Sequence, residues 1–166
     1  PKGLFQNPPA SLSWVFDKPC MLVGVDVSNP DKGRPGDSMA AVVGSMNGSA
    51  SQYVAHMRAQ TPNSEMVGSL GDAMLMLFQS FRDRNGGQMP HHVIVYRDGV
   101  SDGQFQAVLS QELSQIKDAV HLSGYDREQV KISVIICQKR HHTRLAYRAK
   151  GEGAAGEVMN VCPGVV

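Results

Sequence analysis

The stretch HHVIVYRDGVSDGQF, residues 91–105, constrains the fold more than any other part of the chain, because it reads as a strand, a tight turn and a helix start in immediate succession. Val93, Ile94, Val95 and Tyr96 make a short β-branched and aromatic run of the kind that forms a buried strand. Asp98 stands at the carboxyl end of that run. Gly99 supplies backbone freedom for a turn, and Ser101 with Gln104 has the spacing of a capping box, so a helix is predicted to begin near Ser101. In open α/β sheets the carboxyl ends of strands are where ligands and catalytic groups collect, which singles out Asp98. An Asp-Gly pair after a strand is also ordinary turn chemistry, so position alone does not assign it.

At 166 residues the chain fits one domain with a core of normal size, and a formal net charge of +1 says little about partners. No apolar run approaches the length of a membrane span and no signal-peptide pattern opens the sequence, which points to an intracellular protein with no membrane partner. Cys20, Cys137 and Cys162 are odd in number and far apart, which argues against a disulfide framework or a CxxC zinc site.

Residues 1–18 lack periodicity and are expected to be a linker from an upstream domain, with the folded domain over 19–166. In MLVGVDV, residues 21–27, strand alternation sets Leu22, Gly24 and Asp26 on one face and Met21, Val23, Val25 and Val27 on the other. A carboxylate inside such a run is costly to bury unless it is paired or bound to a metal. A loop over 28–38 leads to a second strand, AAVVGSM at 40–46, and Asn47-Gly48 opens a hairpin turn into a third at 52–60. Val67, Leu70, Met74, Leu77, Phe78 and Phe81 then form one helical stripe, capped at Asn63 or Ser64 and ended by Gly86-Gly87. Glu65 falls at the start of that helix, where the helix dipole favours an acid whatever else it does. Gly68 and Gly71 would let the helix approach the sheet closely. A second stripe, Phe105, Val108, Leu109, Leu113, Ile116 and Val120, precedes a fifth strand, KISVIICQ at 131–138.

Three meandering strands followed by helix, strand, helix and strand give an α/β domain with a mixed five-stranded sheet and helices packed on it, the order of the ribonuclease H-like fold. That fold carries a further helix, absent from this sequence, so the domain is expected to be incomplete at its C-terminus. The same topology sets the first and fourth strands side by side and brings Asp26 to Asp98. Two carboxylates that close repel unless a cation neutralises them, and a hard divalent ion with oxygen ligands suits the pair. Two ions about 3.5–4 Å apart can stabilise the attacking and leaving oxygens of a phosphodiester displacement, which reads as a metal-dependent nuclease.

QKRHHTRLAYRAK, residues 138–150, carries Lys139, Arg140, Arg144, Arg148 and Lys150 with His141 and His142, and no acid interrupts them. Beside a metal site such a span suits a run of phosphates, with a solvated basic loop as the plain alternative. The adjacent histidines lack the spacing of metal ligands on a helix, which favours contact with phosphate or sugar.

GVDVSNP at 24–30, AAVVGSM at 40–46, YRDGVSDGQF at 96–105 and QKRHHTRL at 138–145 together resemble the PIWI domain of Argonaute proteins, in the right order and from about Pro19 to the last residue. The paired histidines resemble the Argonaute branch of the family rather than the Piwi branch. The resemblance implies a domain that, within a whole Argonaute, binds a small guide RNA and acts as a divalent-metal-dependent endoribonuclease on complementary target RNA. Mg²⁺ or Mn²⁺ would be the cofactor, with two ions in the complete site. A non-slicing scaffold that silences through recruited partner proteins is the alternative. A cytoplasmic location follows, with a nuclear one also open.

By the same resemblance Asp26 and Asp98 match the catalytic, metal-holding aspartates. Glu65 matches the glutamate that completes the site on guide and target loading, with a one-residue shift in loop length. Gln138, Lys139, Arg140, His142 and Arg144 match the block that holds the guide backbone. The sequence departs at Asn29, where a histidine is usual in the Argonaute branch. The family's fourth metal ligand lies downstream of the last residue, so the isolated chain is expected not to slice.

Overall fold

The apolar alternation read at residues 21–27 becomes β1 (Cys20–Ser28), with Met21, Val23 and Val25 buried and Gly24 and Asp26 exposed on the opposite face. The computed structural model describes residues 17–31, 33–139, 142–148 and 158–161. β2 (Ser38–Ser45) and β3 (Tyr53–Gln60) extend the sheet antiparallel, in the registers Val25↔Val42 and Val42↔His56. Residues 46–52 connect them, with the turn opening at Asn47-Gly48 as read from the sequence. The Asn47 side chain accepts hydrogen bonds from the N–H groups of Ser51 and Gln52 at 3.0 and 3.2 Å, and Ala50 takes a positive φ of 48°. β4 (His92–Asp98) and β5 (Lys131–Cys137) add parallel to β1 on its other side. The strand order β3-β2-β1-β4-β5 is the mixed ribonuclease H-like sheet that the element order predicts.

Helices cover one face of this sheet. α1 (Leu70–Arg84) buries Leu70, Ala73, Met74, Leu77, Phe78 and Phe81, as the stripe requires. It starts at Leu70 rather than near Ser64: Asn63 is left-handed at φ 59°, and residues 61–69 form a loop from which Val67 still packs into the core. At the other end the Gly87 N–H reaches back to the Arg82 carbonyl at 2.8 Å, with Gly86 and Gly87 at φ 62° and 82°. The close approach of helix and sheet occurs at Gly44 on β2, where a Cβ would stand 2.9 Å from a Leu77 methyl. Gly71 instead faces Gln115 on the neighbouring helix, and Gly68 lies in the loop.

The second helical stretch runs through a 3₁₀ turn (Asp102–Gln104), α2 (Phe105–Ala107), a π-helical segment (Val108–Glu112) and α3 (Leu113–Leu122). The Gln104 side chain accepts from the Ser101 N–H at 3.1 Å, closing the start as the capping-box spacing predicts. The wide π turn changes which residues face inward. Val108, Ile116, Ala119 and Val120 are buried together with Glu112, whereas Phe105 and Leu109, expected on the stripe, are exposed.

β6 (Ala146–Arg148) and β7 (Val158–Asn160) pair antiparallel as a separate two-stranded sheet that the sequence reading does not foresee. Each is only three residues long and β7 is wholly exposed, so no alternation announces it. Of the linker expected at 1–18 only Asp17 and Lys18 are among the described residues. Arg140, His141, Lys150 and the segment 162–166, which includes Cys162, lie outside them.

Candidate active site

Parallel pairing of β1 and β4 runs to Val25↔Arg97, so Asp26 and Asp98 follow at the ends of neighbouring strands. Alternation turns Asp26 away from the packed face occupied by Val23 and Val25. Each acid is fixed by a backbone donor: Asp26 Oδ1 accepts from the Val27 N–H at 2.9 Å, and Asp98 Oδ1 from the Gly99 N–H at 2.8 Å. Gly99 makes the turn at φ 80°, a conformation that side chains other than glycine's rarely adopt. A Cβ built there would stand 3.7 Å from Asp26 Oδ1 and 3.8 Å from Glu65 Oε2. Asp26 and Glu65 therefore converge on the space above Gly99, directly beside Asp98.

Glu65 is not on a helix, as the sequence suggests, but on the 61–69 loop, and that loop is tied down on both sides. On the sheet side, the Asn29 amide donates to Glu65 Oε1 at 2.7 Å while the Ser38 hydroxyl donates to Asn29 Oδ1 at 2.6 Å. Ser38 Oγ in turn accepts the Asn63 N–H at 2.9 Å. Gln60 Nε2 donates to the Ser64 and Met66 carbonyls at 2.6 and 3.1 Å. On the helix side, Glu112 accepts the Val67 N–H at 3.0 Å and Gln115 donates to the Val67 carbonyl at 3.1 Å. Asn29 thus holds the third acid.

Arg97 and Glu112 are the residues that the sequence reading misses. Their side chains are 0% and 3% exposed, and the guanidinium donates to both carboxylate oxygens. Arg97 also donates to the carbonyls of Asp98 and Glu65, so one buried cation ties the β4 end to the Glu65 loop. The signal was present in both patterns. Arg97 shares inward parity with Val93 and Val95, and Glu112 lies four residues from both Val108 and Ile116.

The basic segment after β5 folds over the acid turn. The Lys139 ammonium forms an ion pair with Asp98 Oδ2. Its hydrogen bond holds the Asp98 carboxyl below the ordinary aspartate value against partial desolvation, helped by the Gly99 N–H and the Arg97 charge. Gln138 Nε2 donates to Asp102 Oδ1 at 2.7 Å and to the Val100 carbonyl at 3.3 Å. A cleft of about 940 Å³ is lined by Asp26, Asp98, Cys137, Lys139 and His142 with the 99–102 turn. Arg144 is exposed and donates to the Thr143 carbonyl at 2.8 Å.

Among the described residues no group of three His, Cys, Asp or Glu side chains is assembled to hold a metal ion. The donors at the strand ends are carboxylate oxygens, and one of them already carries a cationic partner. Such a set fits a hard divalent ion that takes one or two carboxylates and completes its shell with water and substrate phosphate.

The mixed sheet, with acids at the ends of the adjacent parallel strands β1 and β4, defines the chain as a ribonuclease H-like domain. Residues 5–166 match the model of the Piwi domain, and the chain belongs to that family. It is 38% identical to protein argonaute 3 of Oryza sativa subsp. japonica over 164 residues, which is 97% of this chain and 14% of that protein. With the argonaute of Schizosaccharomyces pombe it shares 38% identity over 135 residues, 81% of this chain and 16% of that protein. It is similar in three dimensions to Kluyveromyces polysporus Argonaute with a guide RNA, at TM-score 0.70 and 28% identity, covering 87% of this chain and 18% of that one. The relatives accord with the Argonaute branch inferred from QKRHHTRL, and the chain spans only a small part of their length.

Proposed function

We propose that this chain is the cleaving core of a small-RNA-guided silencing protein, one that cuts target RNA paired to a guide with the help of divalent metal. The observation that carries this reading is the convergence of Asp26 and Glu65 over Gly99 beside Asp98. A similar structure described with a guide RNA supports RNA as the ligand. When bound, Mg²⁺ or Mn²⁺ supplies charge neutralisation at the attacking and leaving oxygens of the phosphodiester.

Asp26 and Asp98 would hold the ion. Glu65, presented by the Asn29 amide, would complete the oxygen environment of the ion once guide and target are loaded. Arg97 touches no substrate and acts by keeping Glu65 and Asp98 in one frame. His142 and Arg144 meet sugar and phosphate rather than base edges, so base pairing with the guide and not the protein selects the cut.

The test is to load the intact protein with a guide and add a labelled complementary target in Mg²⁺. A single cut at a fixed distance from the guide's 5′ end is expected, lost in Asp98→Asn while guide binding persists. Guide and target bound by the wild type without any cut, in Mg²⁺ and in Mn²⁺, would make the domain a scaffold instead.

A further inference from the structure

We propose that Lys139, through its ion pair with Asp98, is an internal cation that competes with the divalent ion for that carboxylate, and that a phosphodiester backbone entering the cleft draws the lysine away. The inference rests on the reading of Asp26 and Asp98 as metal-holding residues.

The sheet itself fixes the pair. Asp98 is the register partner of Cys137 on β5, so Lys139, two residues on, emerges beside the acid. Gln138 fastens the same segment to Asp102 and the Val100 carbonyl, which leaves Lys139 at a set distance from the turn. Both oxygens of Asp98 are then engaged, Oδ1 by the Gly99 N–H and Oδ2 by the ammonium. A divalent ion bound within about 2.0–2.1 Å of a carboxylate oxygen would stand within a few ångströms of an ammonium on the same group. Like charges that close exclude one another in a partly shielded site.

The ion pair lies at the surface. Its side chain is 78% exposed, while that of Asp98 is 25% exposed, and its four-carbon stem lets the charge swing without moving the backbone. His142 lines the same cleft, so a nucleic-acid backbone entering it meets a second polar group as well as the ammonium. By linkage, whatever draws Lys139 off Asp98 raises the affinity of the site for the ion, and the ion raises affinity for phosphate by the same factor. The Asp98 carboxylate is thereby neutralised at rest, and the site takes up its ion together with nucleic acid.

Mn²⁺ binding to the intact protein, followed by the electron paramagnetic resonance of the free ion, tests this with a readout other than cleavage. Asp98→Asn identifies the site by losing it. Without RNA, Lys139→Met should bind Mn²⁺ at that site roughly five-fold more tightly than wild type, and Lys139→Arg should stay within about two-fold. A single-stranded RNA oligonucleotide, corrected for the Mn²⁺ it binds alone, should tighten the wild-type site and leave Lys139→Met unchanged. Equal or weaker Mn²⁺ binding in Lys139→Met overturns the competition, and an RNA effect that survives in that variant overturns the handover. If Asp98→Asn keeps all the Mn²⁺ sites, the metal reading of Asp98 falls and this inference falls with it.

Discussion

Arg97 and Glu112 form a two-bonded ion pair at 2.9 and 3.0 Å inside the domain, and the same guanidinium reaches the carbonyls of Asp98 and Glu65. Two charges out of water require this many bonds to offset their desolvation. Glu112→Ala leaves the buried guanidinium without its counter-charge and should destabilise the protein by roughly 3–5 kcal/mol. Replacing both, as Arg97→Met with Glu112→Leu, should return the urea midpoint close to wild type, because apolar replacements of buried pairs are often neutral. Target cutting should stay impaired in that double variant, since both carbonyls have lost their donor. Normal single-turnover cleavage by a stably folded double variant would remove Arg97 from the site.

Asn29 carries the next prediction. Its amide donates to the Glu65 carboxylate at 2.7 Å, and the Ser38 hydroxyl orients that amide by donating to its oxygen at 2.6 Å. Asn29→Ala should slow cutting by about tenfold, the size of one hydrogen bond to a charged group, with guide affinity unchanged. Asn29→Asp should be slower still, because it sets a second carboxylate against Glu65. Cleavage rates at saturating target, compared with guide dissociation constants, separate presentation of Glu65 from RNA binding. Wild-type rates in Asn29→Ala would mean that the loop holds Glu65 without it.

The strands and the adjacency of Asp26 to Asp98 were legible because both depend on local alternation and on one topological rule. The start of α1 was not. Asn63 and Ser64 are good caps by composition, yet the Gln60 side chain and Ser38, which is distant in sequence, bind this stretch as a loop. The second stripe failed for a related reason. Glu112 sits where a core residue belongs, and the π turn brings it to Arg97 at the expense of Phe105 and Leu109. In the basic segment a count of cations conveys phosphate affinity, but only the register of β5 against β4 reveals that Lys139 meets Asp98.

His92 on β4 offers a pH test. It bonds across to Ser133 Oγ at 3.0 Å, and burial holds its imidazole below the usual 6.5, with the charges of Lys131 and His91 adding to the effect. The unfolded chain therefore binds the proton more readily than the folded one. The contribution of His92 to stability is full above pH 6.5 and is lost as pH falls through the lowered folded value. The urea midpoint should drop as pH falls from about 7 to 5, and the drop should be smaller in His92→Gln. An identical pH dependence in the two proteins would show that another group controls it.

Gly99 brings backbone and site together at one position. Its φ of 80° makes any L side chain strained, and Gly99→Ala should destabilise the fold by about 1–2 kcal/mol for that reason alone. Asn tolerates the left-handed region better, so Gly99→Asn should be the more stable of the two variants. The chemistry should not follow that ranking. A Cβ at this position stands 3.7 and 3.8 Å from the Asp26 and Glu65 oxygens, which is ordinary contact and no clash, but it fills the space on which both acids open. Both variants should therefore lose roughly 10²-fold in cutting, the size of an ångström-scale misplacement at a reacting centre, while binding guide normally. Urea midpoints and single-turnover rates measured on the same preparations decide the matter. Cutting by Gly99→Asn that recovers along with its stability would show that the backbone turn, and not the open space between Asp26 and Glu65, is what the glycine preserves.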